Sequence, residues 1–201
     1  MKKIIRLAVY EFFRKSIDSL NGLDNLPAEG PYLIAANHND YLDGFRITAA
    51  FHPHRDDYIY FLAKTNNYWW TRVVIQIDWQ DKIKTLSRVV KMLNRGRIIC
   101  NFPEGRRNLT DRLLPGKTGT VRMAIKAQVP IVPLGIVGHG DSSYLDSVRS
   151  WIGNNKKYSI NVGKPIEYIK YFDQELEADL INKLTQEMMK NIAKLCDKKV
   201  D

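Results

Sequence analysis

Hydrophobic and polar positions follow two repeating patterns along the chain. Short apolar runs rich in Val, Ile, Tyr and Phe predict buried strands. These runs are residues 32–36, 58–63, 73–77, 97–102, 131–137 and 158–162. Between them, apolar residues recur every three or four positions, which predicts amphipathic helices over 83–95 and 173–196. Strands and helices that alternate in this way indicate an α/β fold: a single domain with a mixed, mostly parallel β-sheet flanked by helices.

Two of these segments carry more specific expectations. The helix over 83–95 should bury the face that carries Ile83, Leu86, Val90 and Leu93, and Gly96 follows where a glycine cap belongs. Pro133 lies inside the strand over 131–137 and cannot donate to a ladder, so that strand is expected at a sheet edge or with a bulge.

The first segment predicts an N-terminal amphipathic helix over residues 1–20, with one domain over residues 21–201. Its apolar side chains are three or four positions apart, at Ile4, Ile5, Ala8, Val9, Phe12 and Phe13. Lysines and arginines surround them, a pattern typical of helices that lie on anionic lipid. A helix packed on the domain is the alternative. Arg6 and Glu11 interrupt any signal-peptide core, and no run reaches the ~18 apolar residues of a membrane span.

The charge of the chain indicates an anionic partner. Lysine and arginine number 31 against 22 acids, which gives a net charge of +9. Such an excess suits nucleic acid, a phosphorylated small molecule, anionic lipid or an acidic protein. Between residues 82 and 126, twelve lysines and arginines accompany only Glu104 and Asp111. Cys100 and Cys196 are too few for a disulfide framework or a zinc site, which favours a reducing compartment.

The first candidate site is Asn37-His38, which follows the first predicted strand, together with Asp43. A histidine's ordinary pKa of about 6.5 lets it accept a proton at neutral pH. Asp43 lies five residues on, across a turn, where it could orient the ring and stabilise the imidazolium. With no protein nucleophile assigned, this pair suits a reaction in which the substrate's own hydroxyl attacks. The alternative is that Asp43 caps the next helix and His38 is a loop histidine.

Two further segments could bind an anion. A strand runs directly into Pro103-Glu104-Gly105-Arg106-Arg107, and the planar donors of arginine match phosphate oxygens. A solvated surface turn is the alternative. Lys117 lies between Gly116 and Gly119 at the start of a predicted helix, whose first amides can bind anions. The first glycine of a nucleotide P-loop is missing there.

Together these blocks resemble the glycerolipid acyltransferase family, whose type member is the bacterial 1-acyl-glycerol-3-phosphate acyltransferase. Asn37-His38 with Asp43 looks like the family's NHxxxxD motif, and residues 102–105 with Arg107 are similar to its FPEG block. Three more blocks follow in the family's order: Lys117 to Gly119, Val129 to Pro133, and Gly163 to Ile166. The resemblance covers residues 26–166.

The resemblance implies O-acyl transfer from a thioester, acyl-CoA or acyl-acyl carrier protein, to a lysophospholipid, first of all 1-acyl-glycerol-3-phosphate. His38 would be the general base and Asp43 its orienting partner. Substrate contacts would come from Asn37, Lys64, Glu104, Gly105, Arg106, Arg107 and Lys117. A thioester is already activated, so no cofactor or metal is expected. The enzyme is expected in the cytoplasm, peripheral on the inner face of an anionic membrane.

Two departures from the family pattern bear on the acceptor. Trp79 stands where the family has a phosphate-binding arginine, and Arg106 replaces the usual threonine, so Arg106 could compensate. A different lipid or glycolipid acceptor, a basic nucleic-acid-binding domain and a non-catalytic membrane-binding domain are the alternatives; nucleic acid is not the expected partner. A hydrolase that uses His38 with a serine or with Cys100 is disfavoured, because the sequence has no G-x-S-x-G motif and Cys100 lies inside a predicted strand.

Overall fold

One mixed sheet forms the centre of the fold in the computed structural model, which describes residues 10–52, 58–63, 74–78, 80–172 and 174–200. Within these residues, seven strands follow the order β1-β7-β6-β2-β5-β3-β4. The strands are β1 (Ile17–Asn21), β2 (Leu33–Ala36), β3 (Ile59–Ala63), β4 (Val74–Gln76), β5 (Ile98–Asn101), β6 (Ile131–Val137) and β7 (Tyr158–Val162). All neighbouring pairs are parallel except β6 with β7. The expected mixed, mostly parallel sheet is confirmed.

Helices cover both faces of the sheet. They are α1 (Asp43–Phe51), α2 (Lys82–Leu93), α3 (Gly119–Ala127), α4 (Tyr144–Ile152) and α5 (Ala178–Cys196), with short 3-10 helices at Leu23–Asn25 and Ile169–Tyr171. Strand side chains alternate between the faces: Leu33 packs in the core with α2, α3 and α5, while Ile34 packs in the core with α1. Across the residues that the structure describes, no helix is long and apolar enough to span a bilayer.

The predicted helix over 1–20 is wrong at its end. Residues 10–14 are helical, but Ile17–Asn21 forms strand β1, parallel to β7, so the boundary at residue 20 falls inside a strand. The register shifts between Ile17 and Ser19, and both Ile17 and Leu20 pack against the α1 side of the core. Such a bulge breaks the two-residue alternation that would reveal a strand. The segment 1–9 lies outside the described residues.

Two packing expectations differ from the structure, the first of them only in part. Leu93 is buried and Leu86 and Val90 pack against the core as expected, but Ile83 is 78 % exposed, because α2 also turns Thr85 and Val89 inward. Thr85 is held there by its hydroxyl, which accepts the N–H of Asp78 at 2.8 Å.

Pro133 lies in the interior strand β6, not at an edge. Its carbonyl accepts the N–H of Gly163, one residue beyond the end of β7. The N and C=O of a strand residue point to the same side, so the nitrogen of Pro133 also faces β7, beyond the end of that strand. Its lack of an N–H therefore removes no hydrogen bond from the β6–β7 ladder.

Three loops meet at one edge of this sheet. Strands β2, β5 and β6 are adjacent and parallel, so their carboxyl ends lie side by side. The segments that follow them are 37–42, 102–118 and 138–143. In open α/β sheets this edge is where ligands bind.

Candidate active site

His38 and Asp43 form a hydrogen-bonded pair in the loop after β2. His38 Nδ1 and Asp43 Oδ2 are 2.9 Å apart, and the same oxygen accepts the N–H groups of Asn39 and Asp40, each at 2.8 Å. Asp43 is the first residue of α1, and its fully buried carboxylate therefore faces the loop that holds His38. A carboxylate only accepts, so in the neutral ring Nδ1 carries the proton and Nε2 presents its lone pair.

Packing holds the imidazole from a second direction. The His38 ring stacks on Phe102, with ring centroids 4.1 Å apart and planes 15° from parallel. The His38 side chain is 21 % exposed, and within the described part of the chain Nε2 has no hydrogen-bond partner. The arrangement fixes the ring and leaves Nε2 for a substrate, which is the geometry of a general base.

A buried arginine lies beneath this pair. Arg46 is 1 % exposed, and its Nη1 is 2.8 Å from Asp40 Oδ1 and 3.4 Å from Asp43 Oδ1. Its guanidinium carbon lies 3.7 Å from the centre of the Tyr158 ring. Sequence reasoning missed Arg46. The signal was a single arginine among the apolar residues of α1, three positions after Asp43.

Asp40 is the second carboxylate of this cluster. Burial acts to raise the pKa of Asp40, but the charge of Arg46 and hydrogen bonds from Asp141, Leu42 and Arg46 outweigh it and hold this pKa below its ordinary value. The Asp40 carboxylate also accepts the Ser147 hydroxyl at 2.9 Å. With Asp40 and Asp43 ionised, the cluster around Arg46 has a net charge of −1.

Glu104 supports the backbone of His38. Its Oε1 accepts the His38 N–H at 3.1 Å, and its Oε2 accepts the Asn108 side chain at 2.7 Å and the Leu114 N–H at 3.0 Å. Glu104 is 4 % exposed. The resemblance implied a contact with the acceptor. In the structure this carboxylate accepts three protein donors and so links the loop after β5 to the loop after β2.

Asn37 is also occupied by the protein. Its Nδ2 donates to the carbonyl of Ile136 and its Oδ1 accepts the N–H of the same residue, at 2.9 and 2.7 Å. Asn37 is fully buried. This side chain joins the end of β2 to β6 rather than lining a substrate site, because Ile136 needs partners where the β2 ladder ends.

The basic residues expected to contact substrate lie around the turn after β5. The Arg107 guanidinium stacks 3.4 Å above the Tyr41 ring and donates to the carbonyls of Asp141 and Ser142. Arg106 is exposed next to it. Five N–H donors belong to an arginine, so Arg107 keeps donors beyond those two bonds.

Gly105 and Lys117 lie against each other in the same turn. Gly105 has a φ of +72°, and a Cβ there would collide with the Lys117 ammonium. The Lys117 N–H donates to the Pro103 carbonyl at 2.9 Å. Glycine is therefore required at 105 both for its backbone and for the approach of Lys117. Lys64 and Trp79 lie outside the described residues.

Comparison with known proteins places these features in one family. The model of the family described as "Acyltransferase" matches residues 19–137. A chloroplastic 1-acyl-sn-glycerol-3-phosphate acyltransferase of Brassica napus is 26% identical over 172 residues, 80% of this chain and 47% of that protein. A probable 1-acyl-sn-glycerol-3-phosphate acyltransferase of Mycoplasma pneumoniae is 26% identical over 213 residues, 97% and 79% of the two chains.

A solved structure shares the fold. The crystal structure of the 1-acyl-sn-glycerophosphate acyltransferase PlsC from Thermotoga maritima has a TM-score of 0.65 and 18% identity, over 96% of this chain and 81% of that one. This chain spans about half the length of the plant relatives that it matches. Because the family model covers more than half of its residues, the chain belongs to the Acyltransferase family.

Proposed function

We propose that this protein transfers a fatty acyl group from a thioester, acyl-CoA or acyl-acyl carrier protein, to the free hydroxyl of 1-acyl-glycerol-3-phosphate. The observation that carries the proposal is the His38–Asp43 pair, with Nδ1 bonded to the carboxylate and Nε2 without a partner among the described residues. The names of the relatives supply the acceptor.

The reaction needs one base and no covalent enzyme intermediate. His38 Nε2 takes the proton of the acceptor hydroxyl while its oxygen attacks the thioester carbonyl. The tetrahedral intermediate collapses, the C–S bond breaks, and the thiolate takes the proton from the imidazolium. An ester and a free thiol result, and His38 returns to its starting state.

The buried charges favour the step that creates the imidazolium. Asp40, Asp43 and Arg46 together have a net charge of −1 beside a neutral His38. Protonation of His38 brings this group to neutrality without moving any side chain. Charges that are already in place stabilise a developing charge at little reorganisation cost.

Cys100 does not fit a competing covalent route. Its thiol is fully buried in β5, and burial, with a smaller effect from Asp43, raises the pKa of Cys100 well above its ordinary value. A thiol must ionise and reach its substrate to act as a nucleophile. Neither condition is met here.

The proposal is tested by measuring acyl transfer with the purified protein. Acyl-CoA and acyl-acyl carrier protein serve as donors, and 1-acyl-glycerol-3-phosphate, other lysophospholipids and glycerol-3-phosphate serve as acceptors. We expect phosphatidate from 1-acyl-glycerol-3-phosphate as the main product. A preference for another lysolipid would correct the acceptor, and no transfer with any pair would refute the proposal.

Arg107 is proposed to bind the acceptor phosphate. Arg107→Met should raise KM for 1-acyl-glycerol-3-phosphate about tenfold or more, because a charged hydrogen bond contributes roughly 1.5–3 kcal/mol. KM for the uncharged acceptor monoacylglycerol should change little. Arg95→Met is the matched control, since Arg95 is exposed and precedes β5 at the opposite edge of the sheet. Equal losses for charged and uncharged acceptors would show that Arg107 only supports the loop.

An exposed apolar and basic surface lies beside the site, and we propose that it contacts anionic lipid. It consists of Phe12, Lys15, Tyr144, Leu145, Arg149 and Ile152 and is called the α4 surface. Leu145 and Ile152 are 65 % and 64 % exposed. The Tyr144 ring meets Tyr41 edge-on at 5.8 Å, and Tyr41 is the ring on which Arg107 stacks. Apolar side chains rimmed by cations are typical of surfaces that enter a lipid interface.

Paired substitutions test the α4 surface. The double variant Leu145→Glu/Ile152→Glu should weaken association with vesicles containing anionic phospholipid about tenfold or more, since each change puts a negative charge in place of an exposed apolar side chain that would enter the lipid interface. The control is Ile83→Glu/Ile169→Glu, whose isoleucines are 78 % and 68 % exposed on elements that pack against the other face of the sheet. Equal sedimentation of both variants with these vesicles would remove the α4 surface as the contact.

A further inference from the structure

The segment after α5 returns to the loops of the site. Asp197 takes a left-handed φ of 54°, which ends α5 and turns the chain. The Lys199 N–H then donates to the Asp111 carbonyl at 2.9 Å, and the Leu113 N–H donates to the Lys199 carbonyl at 2.8 Å. Residues 197–200 therefore run beside residues 111–113, and this pairing places Lys198 between the β2 and β5 loops.

The Lys198 ammonium joins these two loops. Its Nζ donates to Asn39 Oδ1 at 2.7 Å and to the Asn108 carbonyl at 3.0 Å. Asn39 belongs to the loop after β2 and Asn108 to the loop after β5. Both acceptors are neutral oxygens, and the Lys198 side chain is half-buried. Hydrogen bonds from a charged donor are stronger than neutral ones, so this contact is suited to holding two loops together.

From Asn39 the contacts lead to the ring of His38. The Asn39 N–H donates to Asp43 Oδ2 at 2.8 Å, the same oxygen that bonds to His38 Nδ1. The Asn39 amide also donates to the carbonyls of Ile136 and Gly138. Asn39 Oδ1 accepts Lys198 Nζ at 2.7 Å and Asn37 Nδ2 at 3.1 Å, so Lys198 makes the shorter bond to a residue whose backbone orients the carboxylate.

From Asn108 the contacts lead to the backbone of His38. The Asn108 N–H donates to the His38 carbonyl at 2.7 Å. The Asn108 side chain donates to Glu104, which in turn accepts the His38 N–H. The peptide groups of His38 are therefore held by Asn108, which contacts Lys198, and by Glu104, which contacts Asn108.

We propose that Lys198 is a positioning residue for acyl transfer: it holds the β2 and β5 loops in the arrangement that aims His38 at the acceptor hydroxyl. The inference rests on the proposed function. Lys198 acts through Asn39 and Asn108. Its loss should lower kcat more than it raises KM, because misplacing a base affects the chemical step.

Three substitutions test this role. Lys198→Met should lower kcat about ten- to hundredfold with KM changed by less than about threefold, and Lys198→Arg should restore most of the rate. Lys199→Met is the control, since the neighbouring Lys199 side chain is 72% exposed and lies 3.8 Å from Asp111. The backbone pairing of residues 197–200 does not use the Lys198 side chain, so all three variants should fold.

An NMR measurement separates positioning from a general loss of stability. The proton between His38 Nδ1 and Asp43 should give a resonance that broadens or shifts in Lys198→Met and is unchanged in Lys199→Met. A wild-type kcat in Lys198→Met, or an unchanged resonance, would overturn the proposal. If the wild-type protein transferred no acyl group to any acceptor, the proposed function would fail, while the resonance would still decide whether Lys198 positions His38.

Discussion

His38→Ala should lower kcat for acyl transfer by about a thousandfold or more, within the range attributed to a general base. Nothing else in the described site takes over this role. Asp43 is fully buried behind the ring, and the carboxylate of Glu104 already accepts three protein donors. Initial rates of phosphatidate formation and KM for the acceptor measure the effect, and we expect KM to change little.

The fold of this variant should persist, because His38 lies in a loop and its side chain keeps partial contact with solvent. His139→Ala is the matched control: His139 is exposed in the loop after β6, at the same edge of the sheet. Far-UV circular dichroism and the thermal midpoint should match the wild type in both variants. A folded His38→Ala protein with full turnover would remove the imidazole from the mechanism.

Arg46→Met should cause the largest loss of stability. It leaves two fully buried carboxylates, Asp40 and Asp43, without their cation. Breaking a buried ion pair in this way costs roughly 3–5 kcal/mol. Urea unfolding at pH 7 measures the difference. Arg149→Met removes an exposed pair with Asp146 and should cost less than about 1 kcal/mol.

The pH dependence of unfolding checks the cause. In the wild type the pKa of Asp40 is lowered by folding, so its stabilising contribution is present above its ordinary value of 3.8 and is lost as pH falls below it. Without Arg46, its charge no longer lowers the pKa of Asp40 while burial still acts to raise it, so this pKa should be higher in the variant than in the wild type. The difference in the free energy of unfolding between Arg46→Met and wild type should become smaller below about pH 4. A gap independent of pH would indicate lost packing on Tyr158 instead.

The sequence predicted the sheet but not its first strand. Six strands follow apolar runs that any buried parallel sheet requires, and their predicted bounds lie within one residue of those observed. Strand β1 was missed because its bulge puts Ile17 and Leu20 on one side, which resembles helical spacing. Local pattern predicts local structure, whereas an irregular edge strand depends on its partner.

The sequence also predicted the contact between His38 and Asp43 better than the surroundings of the residues near them. His38 and Asp43 are five residues apart, so one turn brings them together. Asn37 and Glu104 were expected to contact substrate, whereas the structure buries both side chains against protein partners. The sequence gives the chemistry of a side chain but not its burial. The contact of Lys198 with Asn39 joins residues 159 positions apart. No local sequence pattern predicts such a contact.

The central claim is that His38 moves a proton from the acceptor while an acyl group passes directly from thioester to hydroxyl. Simultaneous measurement of thiol release and phosphatidate formation by the purified protein tests it most directly. We expect one thiol for each phosphatidate formed, no thiol release without acceptor, and both signals lost together in His38→Ala. Thiol release without acylated lipid, or transfer that survives in His38→Ala, would contradict the claim.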